Sequence, residues 1–448
     1  MVANVTNRYS NFAIPFNTEN VRNYRPLLTR IPFFILTLSN RVYLRSFSSN
    51  TSIPNVPGLS SDSNLLILSV QASLLRYGGC ITFIMVYPTD IRSTLRDKKR
   101  LKKIPQKQPF SAHQLDLWCI FEDGSVSPAY SYDSNHTNER VSLLDCPLTE
   151  YGMSKLRPNQ RKAETILVYV ASTTSKDPIM KAEVSIPQIP TLLQNQPISL
   201  TLCTSPLHNK AKFLAQWIEF HRLVGITKFV IYNSTDISNE LESVLAAYDK
   251  DFGLIDVVQW NFFSLHLKDG NSQRYFQVEA VHDCFLRFGD QSEWVGTIDL
   301  DEYLVPLSPY ETISDFLMKE YRRRVIGSIN LRSNFFCAKN ASGLSENERD
   351  DSLLVVEKFT QRAQSRHKSG RQKYLYRPRF VQYLSIHQQV IGLSKVEPSE
   401  SRIMLAHYAS MDRFRKFPGC EENQYIEETA IRDKYASKIW EGLKRKHR

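Results

Sequence analysis

The sequence lacks an uninterrupted apolar run long enough to cross a membrane. A spanning helix takes about 20 apolar residues, whereas the apolar segment 31–38 is much shorter. The longer stretch 65–87 is interrupted by Gln71, Arg76 and a Gly-Gly pair, so it is predicted to form two strands around a turn. The start of the chain also lacks the features of a signal peptide.

The chain has seven cysteines, and none of them stands in a C-x-x-C pair. The spacing of a zinc finger or of a dithiol redox motif is therefore missing. The odd count leaves at least one thiol outside any disulfide within the chain. Five N-x-[ST] sequons are compatible with passage through the secretory pathway; they begin at Asn4, Asn50, Asn135, Asn233 and Asn340.

Acidic residues are outnumbered, because 57 Lys and Arg stand against 46 Asp and Glu, giving a formal net charge of +11. A basic excess attracts anions such as nucleic acid, anionic membranes or nucleotide diphosphates. Nucleic-acid binding has no further support, since the sequence has neither a basic strand interleaved with aromatics nor a recognition-helix pattern. The densest basic segments, 92–107 and 444–448, are typical of solvated surface.

Composition and periodicity divide the chain into four regions. They are a tail or stalk (1–60), a small β-rich region (64–195), an α/β region (198–420) and a basic C-terminal tail (421–448). In the second region, segments 81–87, 115–121 and 165–170 are predicted strands because they are rich in β-branched and aromatic residues. The segment 188–197, which contains three prolines, is predicted to be a linker.

The third region alternates strand and helix patterns. Predicted strands at 198–203, 228–232, 255–260 and 294–298 are separated by apolar residues at helical spacing, and Gly225 is predicted to end the first helix. This rhythm predicts an α/β fold with a mostly parallel, Rossmann-like sheet flanked by helices. Ligands of such sheets lie beyond the carboxyl ends of the strands.

The triplet Asp299-Leu300-Asp301 directly follows the last of these strands. A D-x-D triplet is expected about once by chance in a chain of this length. A second one, Asp249-Lys250-Asp251, follows a helical pattern and is typical of a solvated helix end. The first triplet instead continues into Glu302 and a mostly apolar segment, where acids are costly to bury without partners.

A divalent cation is the simplest partner for these acids. Carboxylate oxygens suit Mn²⁺ or Mg²⁺ better than zinc, and a bound cation stabilises the charge of a departing diphosphate. The alternatives are acids that cap a helix or pair with arginines. A phosphotransferase with Asp299 as nucleophile is a further alternative, but Tyr303 stands where a small residue is usual.

Several stretches of residues 198–410 resemble glycosyltransferase family 92. They are 213–225, 229–233, Gln277 with Ala280 and Asp283-Cys284, 294–306, Lys373, Arg377-Pro378, His387 and His407-Tyr408. The resemblance implies a GT-A fold, a UDP-sugar donor and a metal-dependent, inverting reaction of the galactosyltransferase type. A hexose, galactose from UDP-galactose, would be moved onto a glycan of a glycoprotein or glycolipid.

The resemblance also implies residue roles. The expected metal ligands are Asp299, Asp301 and His407. The expected donor contacts are Thr204, Ser205, Asn233, Asp299, Lys373 and Arg377. An inverting transfer needs a general base that deprotonates the acceptor hydroxyl. The candidates follow the strand that ends just before Asp299. Glu357 is preferred over Asp350 and Asp351 and over Glu346 and Glu348.

Two departures from the family pattern concern the acceptor. Ala409 stands where family members often carry Arg, and the Gly-Ser-rich loop expected near 335–345 is reduced to 340–343. The resemblance implies a lumenal domain in the Golgi or secretory pathway, with membrane association through an N-terminal anchor that is not evident in this sequence. The alternative function is a binding or scaffold protein on a transferase fold that no longer turns over.

Overall fold

A computed structural model describes the chain in separate ranges. They are 66–74, 77–86, 113–133, 142–155, 164–172, 178, 180–185, 199–207, 211–234, 239–248, 253–260, 276–338, 345–366, 371–408, 411 and 425–446. Several features named from the sequence lie outside these residues: the tail 1–60, the basic run 92–107, the linker 188–197, the triplet 249–251, the loop 340–343 and Ala409. Within the described ranges, no helix has the length and apolarity that crossing a membrane requires.

The β-rich region forms one seven-stranded sheet, termed the first sheet. Its elements are β1 (Leu66–Ser73), β2 (Cys80–Val86), β3 (His113–Phe121), β4 (Val126–Asp133), β5 (Ser142–Pro147), α1 (Glu150–Lys155), β6 (Thr165–Ser172) and β7 (Met180–Ser185). The strand order is β1-β2-β5-β4-β3-β6-β7, and all pairings are antiparallel. The three strands predicted here are confirmed, and so is the pair within 65–87. That pair turns at Gly78, which takes φ +76°, a conformation that favours glycine.

Four parallel strands and their helices follow. They are β8 (Leu200–Thr204), α2 (Leu214–Leu223), β9 (Lys228–Asn233), α3 (Asn239–Ala247), β10 (Ile255–Gln259), α4 (Gln277–Phe288) and β11 (Trp294–Ile298). The order is β10-β9-β8-β11, so the four predicted strands are confirmed. Gly225 takes φ +91° just after α2, as predicted for the residue that ends this helix.

The remaining elements complete a mixed α/β structure. They are β12 (Glu302–Pro306), α5 (Ile313–Tyr321), β13 (Ser328–Leu331), β14 (Ser333–Cys337), α6 (Glu346–Arg349), α7 (Val355–Lys358), β15 (Gln361–Ala363), β16 (Lys373–Tyr376), β17 (Val381–Ser385), β18 (Gln388–Gly392), β19 (Lys395–Val396), β20 (Ile403–His407), β21 (Tyr425–Glu427) and α8 (Ala430–Lys446). Strands β16, β13 and β19 extend the parallel strands beyond β11. A separate sheet has the order β12-β20-β14-β15-β21, and β17 pairs with β18.

The prediction of a mostly parallel, Rossmann-like sheet is not confirmed, because the sheets are largely antiparallel. Strand β16 runs antiparallel to both β11 and β13, and β12 runs antiparallel to β20. The strand–helix alternation that suggested parallel pairing ends at β11. Helices also occur among the strands that follow, but α5, for example, joins β12 and β13 of different sheets, so it is not a crossover between parallel neighbours.

The basic segment 421–448 contains helix α8, which packs into the main hydrophobic core. Ile431, Tyr435 and Ile439 of this helix are buried in the cluster that also contains Phe220 of α2. The ring centroids of Phe220 and Tyr435 are 5.0 Å apart. Only the outer face and the Lys-rich end of the helix therefore carry the basic charge that the sequence shows.

Helix α4 is bonded to both the first sheet and the parallel strands. Asp283 on this helix is fully buried and accepts hydrogen bonds from Ser69, Gln71 (2.9 Å) and Tyr232 (2.6 Å). It also pairs with Arg287 at 2.9 Å. Burial alone would raise the pKa of Asp283, but Arg287 and the hydrogen bonds from Ser69 and Tyr232 hold it below its ordinary value. An apolar cluster spans the same contact and includes Ile84, Leu143, Val278, Val281 and Phe285.

Two disulfides join pairs of cysteines that both lie within the described ranges. Cys119–Cys146 joins β3 to β5, and Cys203–Cys284 joins β8 to α4. Cys80 is buried and takes part in neither of these disulfides, in keeping with the odd cysteine count. The second disulfide ties α4 to the strand that ends beside Asp299.

Candidate active site

The carboxyl ends of β8 and β11 meet at one edge of the sheet. The two strands run parallel with Ile298 opposite Thr204, so the next residues, Asp299 and Ser205, are also neighbours. The Ser205 hydroxyl donates a hydrogen bond to Oδ1 of Asp299. Ser205 and Asp299 therefore lie close together at the strand ends, as predicted.

The Asp299 carboxylate has donors on both of its oxygens. Gln277, at the start of α4, donates to Oδ1 (3.3 Å), and Lys373, at the start of β16, donates to Oδ2 (2.9 Å). Burial alone would raise the pKa of Asp299. The Lys373 charge and the bonds from Ser205 and Lys373 nevertheless hold it well below its usual range, so Asp299 is ionised at neutral pH.

Glu302 closes the turn that contains the triplet. Its amide donates to the carbonyl of Asp299 (3.0 Å), and the amide of Asp299 donates to Oε2 of Glu302 (2.9 Å). Lys373 Nζ lies 3.4 Å from the same Oε2. Burial raises the pKa of Glu302 to about 7, with Lys373 opposing the shift.

Asp301, in the turn just before β12, faces His407 at the end of β20. His407 ends β20 opposite Glu302 in the β12–β20 ladder, and its Nε2 lies 3.6 Å from Oδ2 of Asp301. The Tyr408 amide also donates to the carbonyl of Asp301 (2.7 Å). Burial would lower the pKa of His407, but the Asp301 charge raises it above its ordinary value.

A hard cation fits the donor set of Asp301 and His407. Two ligands about 2.1 Å from one ion are about 3 Å apart at a right angle and about 4 Å apart when opposite. The observed 3.6 Å between Asp301 Oδ2 and His407 Nε2 lies between these limits. Among the described residues, no three His, Cys, Asp or Glu side chains form a ready-made metal site. Further ligands of such an ion would come from water or from the oxygens of a bound diphosphate.

Strand β12 is held at the site by two side chains of α2. Trp217 Nε1 donates to the carbonyl of Glu302 (3.0 Å), and the amide of Leu304 donates to Nε2 of His221 (3.2 Å). His221 Nδ1 lies 2.8 Å from the carbonyl of Trp217, so Nδ1 carries the proton. Burial lowers the pKa of His221 to about 3, which keeps the ring neutral and able to accept from Leu304.

Some predicted donor-binding residues are used within the fold. Thr204 Oγ1 accepts from the amide of Tyr232 (3.0 Å), and the Asn233 side chain donates to Gln259 (3.1 Å). Both residues lie at strand ends as predicted, and both are buried. Ser205, in contrast, hydrogen-bonds to Asp299.

Arg377, expected to contact the donor, lies away from Asp299. Tyr376 pairs with Val295 in the antiparallel ladder of β16 and β11, so Lys373 lies near Asp299 and Arg377 lies at the other end of the strand. Four residues of strand span about 13 Å. The guanidinium stacks 4.6 Å from the centroid of the Trp294 ring and pairs with Glu293 at 3.1 Å, so it stabilises the fold there.

The acids proposed as general base have contacts outside the Asp299–His407 cluster. Glu357 accepts from the amide of Leu354 (2.8 Å) and from Trp440 of α8 (3.3 Å), and Glu348 accepts from the Ser345 amide (2.6 Å). Asp350 and Asp351 are exposed, and the side chain of Glu346 lies outside the described part of the structure. Asp350 accepts from the Ser352 amide (2.8 Å), and Asp351 lies 3.3 Å from each of Lys212 and Lys358.

Two residues of the cluster received no role in the sequence analysis. Gln277 contacts Asp299 from a helix that starts 22 positions earlier, and Glu302 contacts both Asp299 and Lys373. The Gln277 position did belong to the stretches that carry the family resemblance. For Glu302 the sequence signal was an acid at the start of an apolar strand, where burial requires a partner.

Comparisons with known proteins agree on one family. The sequence model described as Glycosyltransferase family 92 matches residues 198–446. A family 92 protein of Oryza sativa subsp. japonica is 25% identical over 212 residues, 47% of this chain and 33% of the relative. One from Caenorhabditis elegans is 24% identical over 278 residues, 54% of this chain and 50% of the relative. One from Ricinus communis is 29% identical over 117 residues, 25% of this chain and 18% of the relative. The chain thus spans half or less of the length of these relatives, and it belongs to glycosyltransferase family 92.

Proposed function

We propose that this protein is a metal-dependent, inverting glycosyltransferase that moves a hexose, galactose from UDP-galactose, onto a glycan acceptor. The observation that carries the proposal is the pair Asp301 Oδ2 and His407 Nε2, 3.6 Å apart, beside the ends of parallel strands. Family membership supports the reaction class. The four parallel strands with helices between them support a GT-A arrangement of this half of the molecule.

In this proposal Asp301 and His407 hold Mn²⁺ or Mg²⁺. The cation, when bound, supplies positive charge to the departing diphosphate. Asp299 is kept ionised by Lys373 and orients the donor ribose through an oxygen that Ser205 and Gln277 position. Lys373 balances the negative charge of Asp299 and Glu302. The two carboxylates therefore repel a bound diphosphate less strongly.

We propose that the general base is either Asp350 or Asp351. Both are exposed, as a group that must meet an acceptor hydroxyl has to be. Glu357, the acid preferred from sequence, is less suited because its carboxylate is bonded to the Leu354 amide and to Trp440. The acceptor class is a glycan of a glycoprotein or glycolipid.

We also propose a secretory-pathway location, with the described domains in the lumen of the Golgi. Disulfides persist in oxidising compartments, and Cys119–Cys146 and Cys203–Cys284 support that environment. Membrane association through an N-terminal anchor follows from the family resemblance and is part of the same proposal.

The test is transfer from a panel of UDP-sugars with and without Mn²⁺, in the natural protein and in Asp301→Asn. We expect UDP-galactose to be preferred and the Asp301→Asn rate to fall at least about 100-fold, because even an outer-shell metal partner is worth 10- to 100-fold. Asp315→Asn is the matched control, since Asp315 pairs with Lys319 at 3.0 Å on the outside of α5. Equal, metal-independent activity in Asp301→Asn would contradict the mechanism. Absence of donor binding in calorimetry would favour the scaffold function.

A further inference from the structure

Glu302 lies between the D-x-D turn and the imidazole of His407 without a role in the proposed chemistry. We infer that Glu302 is a positioning residue: its carboxylate orients His407 and fixes the triplet turn so that Nε2 and Asp301 share one cation. This inference rests on the proposed function, because it concerns the same metal site. It adds a residue that neither the D-x-D pattern nor the family match assigns.

The ring of His407 stands between two carboxylates. Its Nδ1 lies 3.6 Å from Oε1 of Glu302, and its Nε2 lies 3.6 Å from Oδ2 of Asp301. A metal-binding histidine usually directs its other ring N–H toward a carboxylate or carbonyl, which fixes the tautomer and the ring orientation. Glu302 is placed for that function, because a proton on Nδ1 leaves the lone pair of Nε2 facing Asp301.

The strand register makes this arrangement a property of the fold. Glu302 and His407 are direct partners in the antiparallel ladder of β12 and β20. Opposite residues project to the same face of a sheet with Cβ atoms about 5 Å apart. The backbone of Glu302 is itself fixed, since its carbonyl accepts from the buried Trp217 (3.0 Å). The carboxylate therefore reaches His407 from a rigid position.

The second oxygen of Glu302 organises the turn. Oε2 accepts from the amide of Asp299 (2.9 Å), which closes the segment that presents Asp301. Glu302 is only 1% exposed, so an acceptor hydroxyl has no access to it and a role as general base is excluded. Its contacts with Asp299, Lys373 and His407 assign it to positioning rather than to the reacting atoms.

The experiment measures Mn²⁺ affinity by electron paramagnetic resonance, with UDP present, in the natural protein and two variants. Glu302→Asp keeps the charge but withdraws the carboxylate by one methylene. Glu302→Gln keeps the length and an acceptor oxygen but removes the charge. We expect both variants to bind Mn²⁺ about 10- to 100-fold more weakly, the range for outer-shell partners.

Glu357→Gln is the matched control. Glu357 closes its own turn in the same way, with its carboxylate on the amide of Leu354 (2.8 Å) and its amide on the Leu354 carbonyl (2.9 Å). It contacts Trp440, whereas Glu302 contacts His407. We expect the Mn²⁺ affinity of this variant to equal that of the natural protein, which separates turn closure in general from the contact with His407.

The outcomes separate this inference from the proposed function. If the natural protein does not bind Mn²⁺ in the presence of UDP, the metal site itself is wrong and the inference fails with it. If the natural protein binds and Glu302→Asp binds equally well, the carboxylate acts only through its charge and the positioning role is overturned. Weakened Mn²⁺ binding by both variants, with the thermal unfolding of their metal-free forms close to that of the natural protein, supports the inference.

Discussion

Replacing Lys373 by Met tests whether this buried cation neutralises the carboxylates of the site. The side chain of Lys373 is 2% exposed and lies 2.9 Å from Asp299 and 3.4 Å from Glu302. Methionine has a similar length without the charge, so the substitution leaves the shape of the buried region nearly unchanged. The remaining effect is the loss of a positive charge beside two acids.

The expected loss of unfolding free energy is about 3–5 kcal/mol at pH 8, the usual result of removing one partner of a buried ion pair. Part of this loss depends on pH. The folded pKa of Glu302 is raised from 4.5 to about 7 by burial even with Lys373 present. A carboxyl with a raised folded pKa stabilises the protein at low pH, and this contribution is lost as the pH rises through that pKa.

Without Lys373, the pKa of Glu302 rises further, because the lysine charge is what lowers it. Glu302 then keeps its proton at pH 6 and has to ionise, unpaired, at higher pH. The difference in unfolding free energy between the natural protein and Lys373→Met is therefore expected to be smaller at pH 6 than at pH 8.5. Each additional unit of pKa shift contributes about 1.4 kcal/mol to this change.

Urea unfolding at the two pH values measures the difference, and Lys358→Met is the control. The Lys358 side chain is also buried, at 4% exposed, but its partner Asp351 is 70% exposed. Water can stabilise Asp351 when the lysine is removed, so the loss in this variant is expected to be the same at both pH values. If the loss in Lys373→Met is likewise independent of pH, Lys373 does not control the ionisation of Glu302.

Two further substitutions test packing around the site. Gly442→Ala would place a Cβ in steric overlap with Oε2 of Glu219. Glu219 is buried, and its other oxygen, Oε1, accepts a hydrogen bond from Tyr248 (2.7 Å). We expect a lower melting temperature in thermal unfolding, because overpacking costs about 1–3 kcal/mol against about 1 kcal/mol gained in helix propensity; an unchanged or higher value would contradict the close packing of α8 on α2. Asp283→Asn removes the charge that Arg287 pairs with and is expected to cost about 3 kcal/mol at pH 7. Since the folded pKa of Asp283 is lowered, this contribution is complete above its unfolded pKa and is lost as the pH falls through the folded one. The two proteins should therefore converge in acid urea unfolding, and a constant difference would refute the ionised state.

The sequence was sufficient to predict the elements around the triplet but not the direction of those that follow it. Strands β8, β9, β10 and β11 were predicted because each is a short apolar run separated from the next by helical periodicity. Arg377 lies away from Asp299 for a specific reason. Local sequence does not record whether a strand runs parallel or antiparallel to its neighbour, and the antiparallel β16 brings Lys373 rather than Arg377 to the strand ends.

The missed site residues share a physical cause. Gln277 reaches Asp299 because the Cys203–Cys284 disulfide and the packing of α4 bring the start of that helix to β8. Glu302 reaches His407 because β12 pairs with β20, about 100 residues later in the chain. Both contacts depend on long-range pairing, whereas D-x-D spacing and hydrophobic periodicity are local signals.

The contacts of the buried Asp283 carboxylate show that the folded unit extends beyond the residues that match the family. The match to family 92 begins at residue 198, yet Asp283 takes hydrogen bonds from Ser69 and Gln71 of the first sheet. In a chain trimmed to the matched residues, the apolar face of α4 would be exposed to water. The buried Asp283 carboxylate would also lose two hydrogen-bond donors. The first sheet is therefore expected to fold together with the matched residues. Substitutions in β1 are constrained by α4, the helix that begins at the candidate active site.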